Sequence, residues 1–193
     1  MSKSKRGREK FHRYKKLIII LSKIVSVLPK SIRKRLLVFY RNKRGTAGIL
    51  IRYILLKTIA KSVGDNVVIY DNVYLHFPEK MEFGNNVSIH PMCHLEAHGE
   101  LFIGNDVSIA HGTSILTTTH CYSDKDAPVK NQGFESRKTY IGNGVWIGAK
   151  ATLLYGVNIG DNSIIGANSL VNKNIPEYAV AGGVPAKILK MRV

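Results

Sequence analysis

From Val63 to Val171 an aliphatic residue returns every six positions, often followed by Gly, with a small or β-branched residue four places later. Phe83-Gly84 with Val87 leads to Ile89 with Cys93, then to Leu95. A second register carries Ile103 with Val107, Ile109 with Thr113, and Ile115 with Thr119. A third runs Ile141 with Val145, Ile147 with Ala151, Leu153 with Val157, Ile159 with Ser163, and Ile165 with Ser169. Isolated strands would not hold one phase for this long. The phase predicts a coil with three flat faces, one hexapeptide to a face, each aliphatic residue pointing into a narrow interior. Gly and Ala tolerate the corners and the close stacking. A rung of three hexapeptides buries its surface only against the next rung. About five rungs fit between Val63 and Val171. The chain therefore reads as an all-β solenoid over residues 63–193.

One stretch leaves the phase. Residues 120–140 hold Lys, Asp, Pro, Asn, Gln, Gly and Ser without a sixfold pattern. Long excursions from a regular scaffold carry function more often than structure. After Val171, Pro176, Gly182-Gly183 and Pro185 mark turns, and residues 186–191 read as a short C-terminal helix capping the stack.

The first 62 residues follow different rules. They hold 19 Lys or Arg and one acid, Glu9, whereas residues 63–193 hold 10 Lys or Arg against 12 Asp or Glu. The net charge of +16 thus belongs to the N-terminal segment. Residues 1–16 lack periodicity and predict a solvated, mobile arm, and residues 17–44 alternate apolar and basic clusters. The run from Leu17 to Leu28 contains Lys23 and is too short to span a bilayer. No small-x-small cleavage site follows it, so a cleaved leader is not expected. A basic amphipathic element that lies on an anionic membrane surface is expected for residues 1–44, detachable from an intact repeat core. A second helix, capped by Thr46 and running to about Lys61, is expected to pack on the body. No reading motif or stacking platform accompanies the charge, so nucleic acid is not an expected partner.

Cys93 and Cys121 cannot build a disulfide framework, which places the chain in a reducing compartment. Cys93 falls on a small inward position. Cys121 adjoins His120, but neighbours in an extended segment point to opposite sides, which disfavours an activated pair. Five histidines between His90 and His120 raise a zinc site, yet no spacing of ligands or acidic partners supports one, and no metal is expected. His90, His94 and His111 alternate with inward positions and are expected to face outward.

The hexapeptides, the rung end Thr117-Thr118-Thr119-His120, the excursion, and Ile141-Gly142-Asn143-Gly144-Val145-Trp146-Ile147-Gly148 together resemble the left-handed parallel β-helix acetyltransferases. Ile159-Gly160-Asp161-Asn162 and the closing run from Ala181 to Ile188 strengthen the likeness, which covers about two thirds of the chain. The helix from Arg52 to Lys57, Val63-Gly64-Asp65-Asn66-Val67, and Ala127–Gly133 look most like the surface-polysaccharide O-acetyltransferases. The resemblance implies the left-handed fold, a homotrimer with sites between subunits, and acetyl-CoA as the donor. It also implies a saccharide acceptor and His120 as the catalytic histidine.

An imidazole suits that role, because a sugar hydroxyl hardly ionises near neutral pH and needs a base as it attacks the thioester. By family correspondence Ala149 and Ala167 line the pantetheine arm, Lys173, Lys187 and Lys190 meet phosphates, and Trp146 walls the pocket or packs beneath the excursion. His98 stands where galactoside acetyltransferases carry an acceptor-binding carboxylate, so it is an acceptor contact whose chemistry differs. The expected function is O-acetylation of a bacterial surface polysaccharide or its precursor, at the inner face of the plasma membrane in the cytoplasm. A small-molecule acetyltransferase, a sugar-amine N-acetyltransferase and a membrane-bound scaffold without activity are the alternatives.

Overall fold

Each hexapeptide closes into a strand of two or three residues and a turn, because a corner residue with left-handed backbone, such as Asn86, Asp106, Gly144 or Asn162, breaks the extended run. The computed structural model describes residues 6–192. Three helices come first: α1 (Arg6–Ser26), α2 (Lys30–Phe39) and α3 (Gly45–Ile59). The first coil is β1 (Ser62–Val63), β2 (Val68–Ile69) and β3 (Tyr74–His76), and the second is β4 (Met81–Phe83), β5 (Ser88–Ile89) and β6 (His94–Glu96). The third is β7 (Leu101–Ile103), β8 (Ser108–Ile109) and β9 (Ser114–Ile115). An excursion carries β10 (Thr118–His120) and β11 (Phe134–Ser136). The fourth coil is β12 (Thr139–Ile141), β13 (Trp146–Ile147) and β14 (Thr152–Leu153), and the fifth is β15 (Asn158–Ile159), β16 (Ile164–Ile165) and β17 (Leu170–Val171). The chain closes with β18 (Ala179–Gly182) and β19 (Lys187–Met191).

Three parallel sheets form the faces of the resulting β-helix, ordered β1-β4-β7-β12-β15, β2-β5-β8-β13-β16-β18-β19 and β3-β6-β9-β14-β17. Register stacks like on like. Val63, Phe83, Ile103, Ile141 and Ile159 make one column, and Ile69, Ile89, Ile109, Ile147 and Ile165 the next. Leu75, Leu95, Ile115, Leu153 and Val171 make the third. These columns are the core: from Phe83 on every hexad position expected inward is buried except Thr119, which belongs to the excursion, while Val63 and Leu75 in the first coil are partly buried. A full burial of such a side chain contributes about 1.5–3 kcal/mol. One corner is held by a polar ladder: the Asp65, Asn85, Asn105 and Asn143 amides each donate to the next rung's Asn or Asp side chain, at 2.7–2.9 Å. Just before that ladder Gly84 stacks so closely that a Cβ would lie 2.6 Å from the Gly104 carbonyl carbon. Only glycine fits there.

Four expectations change. The N-terminal arm is helical from Arg6 in the described residues, because α1 has an apolar stripe that packs on α3: Ile18 is buried, and Phe11 meets Tyr53 edge to face at 5.7 Å. Residues 1–5 lie outside the described residues. Thr46 does not cap α3; Gly45, at φ +75°, turns the chain into the helix, and no side-chain cap bond forms. The closing segment is the strand β19, not a helix. Six residues nucleate a helix poorly, whereas the open edge of β18 offers unpaired backbone groups that β19 satisfies in antiparallel register. The excursion spans Thr118 to Lys138, since Thr139 and Tyr140 already pair in β12.

The N-terminal segment is also not detachable. Arg52, 1% exposed, donates from Nε to the Ile69 carbonyl at 3.0 Å and from Nη1 to the Tyr40, Arg41 and Lys43 carbonyls at 2.9, 3.2 and 2.7 Å. One guanidinium thereby ties the end of α2 to α3 and the first coil. Removing residues 1–44 would strip three of those four acceptors.

Candidate active site

The site grows from the point where the chain leaves the solenoid. After β9, Leu116 and Thr117 begin the turn toward the first sheet, and the chain instead runs outward as β10. A hairpin leaving a scaffold needs a root, and Glu96 at the end of β6 supplies it. One carboxylate oxygen accepts the Thr117 amide at 2.8 Å, its hydroxyl at 2.9 Å and the Thr118 hydroxyl at 3.2 Å. The other accepts the backbone N–H of His98. Burial pushes the Glu96 carboxyl up, but these four donors pull harder and hold it below the ordinary 4.5. The Thr117 hydroxyl also accepts the Gly99 amide at 2.8 Å. Glu96 was not legible as a site residue; its only sequence signal is an acid at a strand end facing a Thr pair one rung later.

From this root β10 pairs with β11, placing His120 opposite Phe134. The His120 side chain is exposed and accepts or donates no hydrogen bond among the described residues, as a base awaiting a substrate proton requires. His98 lies close by in the chain's path: its ring meets Phe134 edge-on at 4.9 Å and Phe77 at 5.1 Å. Phe77 and Phe134 are 44% and 56% exposed, so the two rings form an open apolar wall around His98. The structure therefore brings His98 to the rim of the hairpin that carries His120, and adds Phe77 and Phe134, which sequence reasoning missed. Their signal was only a pair of large apolar residues off the sixfold phase.

Cys121 continues the hairpin, its amide donating to the Gly133 carbonyl at 3.1 Å, and no hydrogen bond joins its thiol to His120 among the described residues. Cys93 is buried beneath a corner; burial pushes its thiol up to about 11, so it stays protonated and inert. His94 stacks on Tyr74 at 4.2 Å and His90 on Tyr70 at 4.9 Å, both on the outer faces, and His111 is exposed. Burial, then His111, lowers the pKa of His90; burial, then His76 and Arg41, lowers that of His94. Among the described residues no three His, Cys, Asp or Glu side chains converge as a metal would need.

The expected donor residues separate into two groups. Ala149 and Ala167 occupy the same corner one rung apart, with the Asn168 amide donating to the Ala149 carbonyl at 2.8 Å. A Cβ on Gly148 would lie 2.5 Å from the Ala167 nitrogen, so small residues keep that corner flat. Trp146, on the face leading to this corner, is 53% exposed, which fits a pocket wall and leaves it uncovered by the excursion. Register places Trp146, Ile164, Val180 and Lys190 in one row across the sheet, with Lys187 opposite Gly182. A flat strip of small residues bordered by two exposed lysines suits a slender arm ending in phosphates. Lys173 follows β17 and sits on the next corner, the one from which the excursion leaves. Within one chain His120 and the Ala149–Ala167 strip thus stand on different corners of the prism.

Comparison with known proteins gives the family. Residues 138–173 match the bacterial transferase hexapeptide (six repeats) family. The galactoside O-acetyltransferase of Lactococcus lactis subsp. lactis (strain IL1403) is 36% identical over 136 residues, covering 69% of this chain and 64% of that protein. The galactoside O-acetyltransferase of Escherichia coli (strain K12) is 31% identical over 166 residues, covering 83% and 78%. This chain belongs to the hexapeptide-repeat acetyltransferases. Another family member, the Escherichia coli protein named "Putative lipopolysaccharide biosynthesis O-acetyl transferase WbbJ", is 35% identical over 117 residues, or 56% of this chain and 59% of that one. The chain thus spans less than two thirds of the Lactococcus protein and of WbbJ. A solved galactoside acetyltransferase in complex with coenzyme A superimposes with a TM-score of 0.75 at 31% identity, covering 84% of this acetyltransferase and 80% of the other.

Proposed function

We propose that this acetyltransferase moves an acetyl group from acetyl-CoA to a hydroxyl of a bacterial surface polysaccharide or its precursor. His120 acts as general base. The observation that carries the reading is the exposed imidazole of His120, held on a rooted hairpin beside the Phe77–His98–Phe134 wall. Aromatic edges and faces suit the apolar side of a sugar ring, and the imidazole suits its hydroxyl. His120 takes the hydroxyl proton as the acceptor oxygen bonds to the thioester carbonyl carbon, and a backbone N–H supports the oxyanion. The carbon–sulfur bond then breaks, and the imidazolium returns the proton to the leaving sulfur. Trp146, Ala149 and Ala167 hold the donor arm, Lys187 and Lys190 beside them take its phosphates, and Lys173, on the excursion corner, reaches them only from a neighbouring subunit. Because His120 and the donor strip occupy different corners of one chain, the reading includes a homotrimer in which neighbours complete each site.

A thiol-release assay tests it directly. Full-length protein with acetyl-CoA should release free thiol in the presence of oligosaccharide or galactoside acceptors, and the product should be cleaved by hydroxylamine as an ester is. Turnover confined to amine acceptors, with a hydroxylamine-stable amide as product, would overturn O-acetylation.

The N-terminal helices support a membrane-surface acceptor. No helix among the described residues is long and apolar enough to cross a membrane. Yet α1 exposes Leu17, Ile20 and Ile24, Val27 is exposed just after it, and α2 exposes Ile32, Val38 and Phe39, all among Lys and Arg. Such a face enters the headgroup region while each basic residue contributes roughly 1 kcal/mol at an anionic surface. An Ile20→Glu/Ile24→Glu double variant should keep its fold, since both residues are exposed, and should lose co-sedimentation with anionic vesicles. The unaltered protein should detach as salt rises. If it ignores anionic vesicles altogether, the galactoside-like reading with a free sugar as acceptor moves ahead, as the names of two relatives favour.

A further inference from the structure

A cavity lies between α2, α3 and the first coil, and one end of it reaches Phe77, which also borders the acceptor wall. It measures about 360 Å³, inside the range of small-molecule sites. Its walls are largely apolar: Leu37 and Val38 from α2, Ile69 and Val73 from the first coil, and Leu75 on β3. Its polar lining is mostly cationic. Lys34, Arg41 and Arg52 face one acid, Glu79, which pairs with Lys34 at 2.6 Å. Among the described residues neither Arg41 nor Arg52 forms an ion pair, and Arg52 has only the through-space attraction of Asp71.

Those guanidinium groups also have unused donors. Among the described residues five buried side-chain polar atoms lack a hydrogen-bond partner, and three of them, Arg52 Nη2, Arg41 Nε and Glu79 Oε2, belong to residues lining this cavity. Arg52 needs only Nε and Nη1 for its four carbonyl contacts, so Nη2 is surplus to the tie between helices and coil. Asp71 acts on it only through space, its own contacts being with Arg44 and Asn72. The Arg41 guanidinium lies over the Tyr74 ring at 4.0 Å and makes no side-chain hydrogen bond. A buried cation without an anion costs several kcal/mol unless a partner arrives. Val38 lines the cavity and is itself exposed, so the cavity opens beside the apolar residues of α2.

We propose that this cavity binds the head of an anionic amphiphile, a phosphate or carboxylate on an alkyl chain. The anion meets Arg52 and Arg41, and the chain leaves along Leu37 and Val38. Glu79 stays with Lys34 and sets the limit on how much negative charge the head carries. The proposal does not rest on acetyl transfer: Phe77 borders both the cavity and the acceptor wall, but the anion and the chain are assigned to Arg52, Arg41, Leu37 and Val38.

Calorimetry on the full-length protein tests it without acetyl-CoA. Decyl phosphate, kept below micelle formation, should bind with one site per chain. Inorganic phosphate, which lacks the chain, and decanol and decyltrimethylammonium, which lack the anion, should each bind weaker by about tenfold or more. Arg41→Gln should weaken decyl phosphate by a similar factor, and Val38→Trp should block the mouth; both positions are partly or fully exposed, and circular dichroism checks the fold. The Ile20→Glu/Ile24→Glu variant should bind normally. Absent binding of decyl phosphate, equal binding by the Arg41→Gln and Val38→Trp proteins, or loss in the α1 variant would overturn the assignment. Inorganic phosphate binding as tightly as decyl phosphate would overturn the amphiphile in favour of a simple anion.

Discussion

A His120→Ala protein should turn over roughly 10²–10⁴ times more slowly, the usual contribution of a positioned general base, and should remain folded. His120 is exposed and its side chain makes no hydrogen bond among the described residues, so its loss leaves no cavity and no orphaned donor. The β10–β11 pairing is made by backbone groups and survives the change. Cys121→Ala should retain most activity, because the proposed transfer is direct and no hydrogen bond joins the thiol to the imidazole among the described residues. A dead Cys121 variant beside an active His120 variant would replace direct transfer with an acyl-cysteine route.

Glu96→Ala should be the most damaging change outside the residues that touch substrate. It removes the shared acceptor of the Thr117 amide, both Thr hydroxyls and the His98 amide. Each orphaned buried donor costs about 1–3 kcal/mol, and the cost falls on the root of the hairpin. Turnover should fall by about 10–100-fold through misplacement of His120, with a smaller change in KM for acetyl-CoA, whose strip is on another corner. In a His120→Ala background the same change should cost little further activity, since the two act as one unit.

The carboxyl also gives a pH signature. Its folded value lies below the ordinary 4.5, so its stabilisation is complete above that value and is lost as pH falls through the lower one. Hairpin amides should lose hydrogen-exchange protection in that acidic window, and Glu96→Gln should abolish the pH dependence. Protection lost instead near neutral pH would assign the root to another group.

The solenoid was legible because its code is local and redundant. Phe83, Ile103 and Ile141 sit at one phase, and the same arithmetic placed Ile89, Ile109 and Ile147 in a second column and Leu95, Ile115 and Leu153 in a third. The place of His120 at the end of the last hexapeptide before the break was legible, and its proposed role came from the family resemblance. What was lost depends on contacts between distant segments. The closing residues, including Lys187 and Leu189, carry no strong signal of their own, and the free edge of β18 decides their state. The helix of the N-terminal arm is decided by Tyr53 and the rest of α3. Glu96 matters only because Thr117 and Thr118 return beside it after one full coil, a proximity that a linear chain does not display.

The return of the excursion has a consequence of its own. Thr139 pairs with Leu101, and its amide donates to the Glu100 carbonyl at 3.1 Å, so the fourth coil rests on the third as though nothing had been inserted. Both ends of the insertion are pinned to the same rung, and lengthening such a loop costs only about 0.6 kcal/mol per doubling. The segment beyond His120 is therefore a replaceable cassette: its length and side chains can drift without disturbing the columns beneath it. One scaffold can in this way be retooled for new hydroxyl-bearing molecules by rewriting some twenty residues.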